Sequence, residues 1–76
     1  MRRQWLPMTY DRNGAWWVVE IEGRKVGFHC GEYLLMHIRE GLEVACRIEM
    51  DRDWYVVMSE NAQFYLKNKQ TYWVEI

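Results

Sequence analysis

Val44-Ala45-Cys46-Arg47-Ile48-Glu49-Met50-Asp51 alternates without a break. Val44, Cys46, Ile48 and Met50 fall on one face, while Ala45, Arg47, Glu49 and Asp51 fall on the other. Eight residues with a period of two predict a half-buried β-strand with its apolar side inward. The same reading extends outward from here. In residues 15–22, Trp17, Val19 and Ile21 share one face, and Trp16, Val18, Glu20 and Glu22 the other. Near the end of the chain Tyr72, Val74 and Ile76 oppose Thr71, Trp73 and Glu75. Near the start Leu6, Met8 and Tyr10 alternate with Trp5, Pro7 and Thr9. Pro7 has no amide to donate, which predicts an edge strand there.

Between these runs stand explicit breaks. Asp11-Arg12-Asn13-Gly14 ends in Asn-Gly, the strongest short hairpin signal. Gly23-Arg24 and Glu40-Gly41 read as turns, and Asp51-Arg52-Asp53 as a tight polar link into residues 54–58. Ser59-Glu60-Asn61-Ala62-Gln63 fits one helical turn with Ser59 as its cap. Residues 31–41 fit two periods, because Leu34, Leu35, Ile38 and Leu42 are also spaced for an amphipathic helix. Strand is the assignment made here. Short strands without long intervening helices predict an all-β fold, a small antiparallel barrel of five or six strands, SH3-like, since closure removes sheet edges. All 76 residues form one domain, with residues 1–10 as an edge strand or an extension.

Ten basic and eleven acidic residues give a net charge of −1, so the basic excess expected of a nucleic-acid binder is missing. A local basic patch is still open, from Arg2, Arg3 and Arg12 or from Lys67 and Lys69. No apolar run exceeds five residues, too short to span a bilayer. Met1-Arg2-Arg3 leads into no apolar stretch of signal-peptide length. The expectation is a cytoplasmic protein with no membrane partner, Cys30 and Cys46 being free thiols.

Gly27-Phe28-His29-Cys30-Gly31-Glu32, Cys46-Arg47-Ile48-Glu49 and Asp53-Trp54-Tyr55-Val56-Val57 form a series. It resembles a family of short uncharacterised bacterial proteins carried on mobile elements, which read Leu-His-Cys-Gly-Glu, a strand, a turn, Arg-Ile-Glu and then Trp-Tyr. The resemblance covers about residues 15–76 and ends in a terminal strand like Val74-Glu75-Ile76. Phe28 replaces the usual Leu, and residues 1–10 lie outside the shared region. The resemblance implies a strand after Gly31-Glu32 and an association with phages or conjugative elements. It implies no activity.

His29, Cys30, His37 and Cys46 lack the paired short spacing that tetrahedral zinc requires, and neighbours on a strand point to opposite faces. No metal and no cofactor is expected. A Cys30 nucleophile would need a base within reach, and strand geometry turns His29 away from it. The chain therefore reads as a non-enzyme. Glu32, Arg47 and Glu49 form either a recognition site or a cross-strand pairing that fixes register.

Twelve aromatics, five of them Trp, exceed what one small core takes up. Alternation sends Trp17, Tyr72 and one of the Trp54-Tyr55 pair inward. Trp5, Trp16, Trp73 and Tyr55 then fall outside, unless the N-terminal strand or residues 59–66 fold over them as a second small core. Outward aromatics are enriched at protein interfaces. The expected function is non-enzymatic protein binding through Trp16, Trp73, Tyr55, Trp5, Arg47 and Glu49, as in an accessory or inhibitory factor of a phage or mobile element acting on a host protein. The alternative is a nucleic-acid-binding barrel that stacks bases on Trp16 and Trp73. Whether a homodimer uses the same rings is left open.

Overall fold

The computed structural model describes residues 4–76, and of Glu60 the backbone only. Met1, Arg2 and Arg3, and with them part of the expected basic patch, lie outside the described residues. The fold is all-β. Eight strands follow in chain order: β1 (Leu6–Asp11), β2 (Trp16–Ile21), β3 (Arg24–Gly27), β4 (Tyr33–Arg39), β5 (Leu42–Met50), β6 (Trp54–Val57), β7 (Gln63–Tyr65) and β8 (Tyr72–Glu75). They make one sheet in the order β3-β2-β1-β8-β4-β5-β6-β7, antiparallel throughout.

The turns act as their residues dictate. The β2–β3 hairpin closes on the pair Ile21 and Arg24. Its two loop residues, Glu22 and Gly23, have φ of 52° and 77°. Two positive φ values are the signature of a type I′ turn, whose twist matches that of the flanking strands. Gly41, at φ 81°, turns β4 into β5. The 3-10 turn at Ser59–Asn61 is present, but its N-cap position is Met58 and no side chain caps it. Ser59 is the first residue of the turn, so the expected cap is displaced by one.

Alternation decides what is buried. Cys46 and Ile48 on β5, Trp17 and Val19 on β2, Met8 on β1, Met36 on β4, Val56 on β6 and Val74 on β8 all lie at 2% exposure or less. Leu34 on β4, with Phe28 and Leu66 from the connections, completes the cluster. Residues 31–41 contain strand β4, as assigned. Trp17 packs at a tilt against the Tyr10 ring and edge-on against the Tyr72 ring, at centroid distances of 5.6 and 5.5 Å.

A sheet with one buried face and no covering layer has to curl over that face. Trp54 Nε1, at the start of β6, donates to the carbonyl of Ala15 in the β1–β2 loop at 3.0 Å. Those strands are four places apart in the sheet, about 19 Å if it were flat. The Phe64 and Tyr72 rings meet likewise across the curl, at 6.1 Å.

Two expectations are corrected. The sheet is not closed into a barrel: β3 and β7 each pair on one side only, and the strands number eight rather than five or six. The extra strands, β3 and β7, have four and three residues. Each is too short to show a period, so the sequence reading absorbed them into turns. The N-terminal strand is not at an edge, because β1 lies between β2 and β8. Pro7 is accommodated where β1 changes partners. Its β8 ladder covers Leu6 to Met8, and its β2 ladder begins only at Met8.

Candidate functional site

The outer face of the sheet carries the polar half of each alternation, and strand register sets its neighbours. One row crosses four strands: Glu43 on β5, His37 on β4, Trp73 on β8 and Pro7 on β1. Trp73 is 47% exposed in the middle of that row. Trp5, one residue ahead of β1, packs its ring at a tilt against the His37 imidazole at a centroid distance of 4.9 Å. Trp5 and Trp73 are thus brought together around His37.

A second group lies two rows further along the strands, about 13 Å away. Arg47 on β5 donates from Nε to Glu49, and Arg47 is the cross-strand neighbour of Tyr33. Hydrogen bonds to Tyr33 and Glu49 raise the Arg47 pKa above its ordinary value, so the guanidinium is charged at any working pH. Tyr55 sits opposite Glu49 and packs against Tyr65 at 5.4 Å. Trp54 is the member of its pair that turns toward the core. Among the described residues Tyr33 is the most exposed of the large apolar and aromatic side chains, at 73%. Arg47 and Glu49 lie on the same strand, so their pair spans no two strands and is not the cross-strand pairing foreseen to fix register; Glu32 accepts instead from the His29 amide.

Trp16 joins neither group. It lies half-buried on β2, across two glycines. A Cβ placed on Gly27 would fall 2.3 Å from the Trp16 ring, and one on Gly14 would fall 2.3 Å from its Nε1. His29 meets the ring edge-on at 5.8 Å. Val18, on the same face, is only 3% exposed. This is a small second core on the outer face. Its cover is not the N-terminal strand or residues 59–66 but Trp16 itself. The available signal was Gly27, a glycine within a strand, which marks close approach.

Sequence reasoning also missed an apolar groove of about 610 Å³ at one open end of the curl, lined by Met36, Ile38, Leu42, Met58, Phe64 and Tyr72 among others. Ile38 and Leu42, flanking the Glu40-Gly41 turn, are 47% and 40% exposed. Apolar residues on both sides of a polar turn were the readable sign.

Among the described residues no three His, Cys, Asp or Glu side chains gather as a metal site. Cys30 is exposed and Cys46 is buried, both as free thiols. Burial pushes the Cys46 thiol up to about 11. No helix among the described residues is long and apolar enough to cross a membrane.

Residues 7–76 match the family model described as Domain of unknown function (DUF5348). The chain belongs to that family. The DUF5348 match begins at Pro7, so the shared region includes β1, which the motif resemblance had left outside. The fold gives the reason: Met8 is 0% exposed and pairs with both Val19 and Tyr72, so the core is incomplete without β1. No curated protein and no solved structure matches this DUF5348 chain.

Proposed function

We propose that the protein is a non-enzymatic protein-binding module that meets its partner on the outer sheet face around Trp73. The observation that carries the reading is Trp73 itself, 47% exposed at the centre of the sheet rather than at its rim. Beside it the tilted contact of Trp5 with His37 restricts both rings before any partner arrives. Large aromatic side chains held in this way lose little conformational freedom on binding and dominate interface energetics. Glu43 neighbours His37 across the strands, and Glu75 lies two residues beyond Trp73 on the same face. Acidic neighbours disfavour a phosphate backbone, which ranks stacked nucleic acid second. An accessory or inhibitory factor of a phage or mobile element, acting on a host protein in the cytoplasm, is a concrete form of this function that rests on motif resemblance alone.

The test is affinity capture from the host with three baits: the native chain, Trp73→Ala and Trp16→Ala. A protein retained by the native bait and lost with Trp73→Ala, at an unchanged melting temperature for that variant, supports the reading. Identical capture by native and Trp73→Ala baits refutes it. Tight, salt-sensitive binding of single-stranded nucleic acid by the native chain would instead favour the base-stacking alternative.

A further inference from the structure

Asn13-Gly14 does not form the tight turn that its residue types announce. The last β1–β2 pair is Asp11 with Trp16, so residues 12–15 make a four-residue loop. The left-handed residue of that loop is Ala15, at φ 56°, and neither Asn13 nor Gly14 has a positive φ. What the loop needs from Gly14 is a missing side chain, since a Cβ there would fall 2.3 Å from the indole Nε1 of Trp16.

The pair is also chemically open. Residues 12–15 are all exposed. Asn13 donates its own backbone amide to Asp11 Oδ1 at 3.1 Å. No hydrogen bond among the described residues engages the Asn13 carboxamide or the Gly14 amide. On the far side of Gly14, the Ala15 carbonyl accepts from Trp54 Nε1 and so ties this loop across the curl.

We propose that Asn13 is a site of spontaneous deamidation in the folded protein, and that its isoaspartyl product unlatches this end of the curl. The Gly14 amide nitrogen gives up its proton and bonds to Asn13 Cγ. The Cγ–Nδ2 bond breaks and ammonia leaves, closing a cyclic imide. Water then opens the imide at either carbonyl. Opening at the side-chain carbonyl gives ordinary aspartate, and opening at the main-chain carbonyl reroutes the chain through Cβ and Cγ of residue 13. Glycine has no Cβ to hinder the attack, whereas Asn61 and Asn68 are followed by Ala62 and Lys69. Rerouting lengthens the backbone, which displaces Gly14 from beneath Trp16 and draws the Ala15 carbonyl off Trp54.

Peptide mapping by mass spectrometry, after incubation of the native chain at physiological temperature in mildly alkaline buffer, tests the site. The expected result is a gain of about one mass unit at Asn13. Conversion there should be at least about tenfold further advanced than at Asn61 or Asn68. It should run no more than about threefold slower in the folded chain than in urea, because the loop leaves both reacting groups free. Asn13→Gln should abolish it. Conversion confined to urea, or as far advanced at Asn61 or Asn68 as at Asn13, overturns the site. For the consequence, the isoaspartyl form is separated by chromatography and compared with Asn13→Asp, which has the same charge and a backbone of native length. It should melt roughly 4–8 °C lower, the loss of about one hydrogen bond in a domain this small. An isoaspartyl form that melts with Asn13→Asp overturns the unlatching.

Discussion

Gly27→Ala is a one-carbon change with a calculable cost. The added Cβ would stand 2.3 Å from two ring carbons of Trp16, well inside contact distance. Gly27 does not have a positive φ, so the backbone tolerates alanine and any cost is steric. Either the ring is compressed or it swings off β3 and uncovers Val18, which is now 3% exposed. Overpacking of this kind costs about 1–3 kcal/mol, which in a domain this small lowers the melting temperature by roughly 4–8 °C per kcal/mol. In a Trp16→Ala background the obstacle is gone. Gly27→Ala should there be neutral, or stabilise by up to about 1 kcal/mol, because alanine loses less backbone entropy than glycine. The double-mutant cycle thus predicts a coupling of about 1–4 kcal/mol between two positions eleven residues apart in sequence. Thermal and urea melts of the four proteins measure it. A coupling near zero would mean that Trp16 does not lie on Gly27, and the second core on the outer face would be wrong.

Ile48 is fully buried, so Ile48→Ala should cost about 2–5 kcal/mol in urea titration; a loss under about 1 kcal/mol would contradict its place in the core. Glu22 holds a φ of 52° that asparagine adopts more readily, so Glu22→Asn should raise stability by about 0.5–1 kcal/mol, read as a higher melting temperature. A thiol reagent at mild pH should label Cys30 in the native protein and Cys46 only after denaturation. The Cys46 pKa is raised in the folded state from 9.0 to about 11, so between those values the unfolded thiol ionises first and stability falls as pH climbs. Cys46→Ala should flatten that part of the pH–stability curve, and an unchanged slope would show that Cys46 is not its source.

How far the sequence reaches is visible at particular residues. Period-two alternation is a local property, and it assigned the inner face correctly from Met8 through Ile48 to Val74. It says nothing about which strands are neighbours. The interior place of β1 depends on β8, more than sixty residues away, arriving between β1 and β4. Pro7 argued for an edge by a sound local rule, yet the rule concerns one amide, and here that amide falls where the β2 ladder has already ended. The candidate site divides along the same line. Alternation placed Trp73 outside, where it is exposed, and placed Trp16 outside too, where a glycine on the next strand takes it in. An outward side chain is exposed only if its cross-strand neighbours leave it so, and cross-strand neighbours are a matter of register. Trp73 has Pro7 and His37 beside it, neither able to cover an indole, whereas Trp16 has the bare backbone of Gly27 to lie on. The difference between an interface residue and a core residue on this face therefore resides in the residue one strand away.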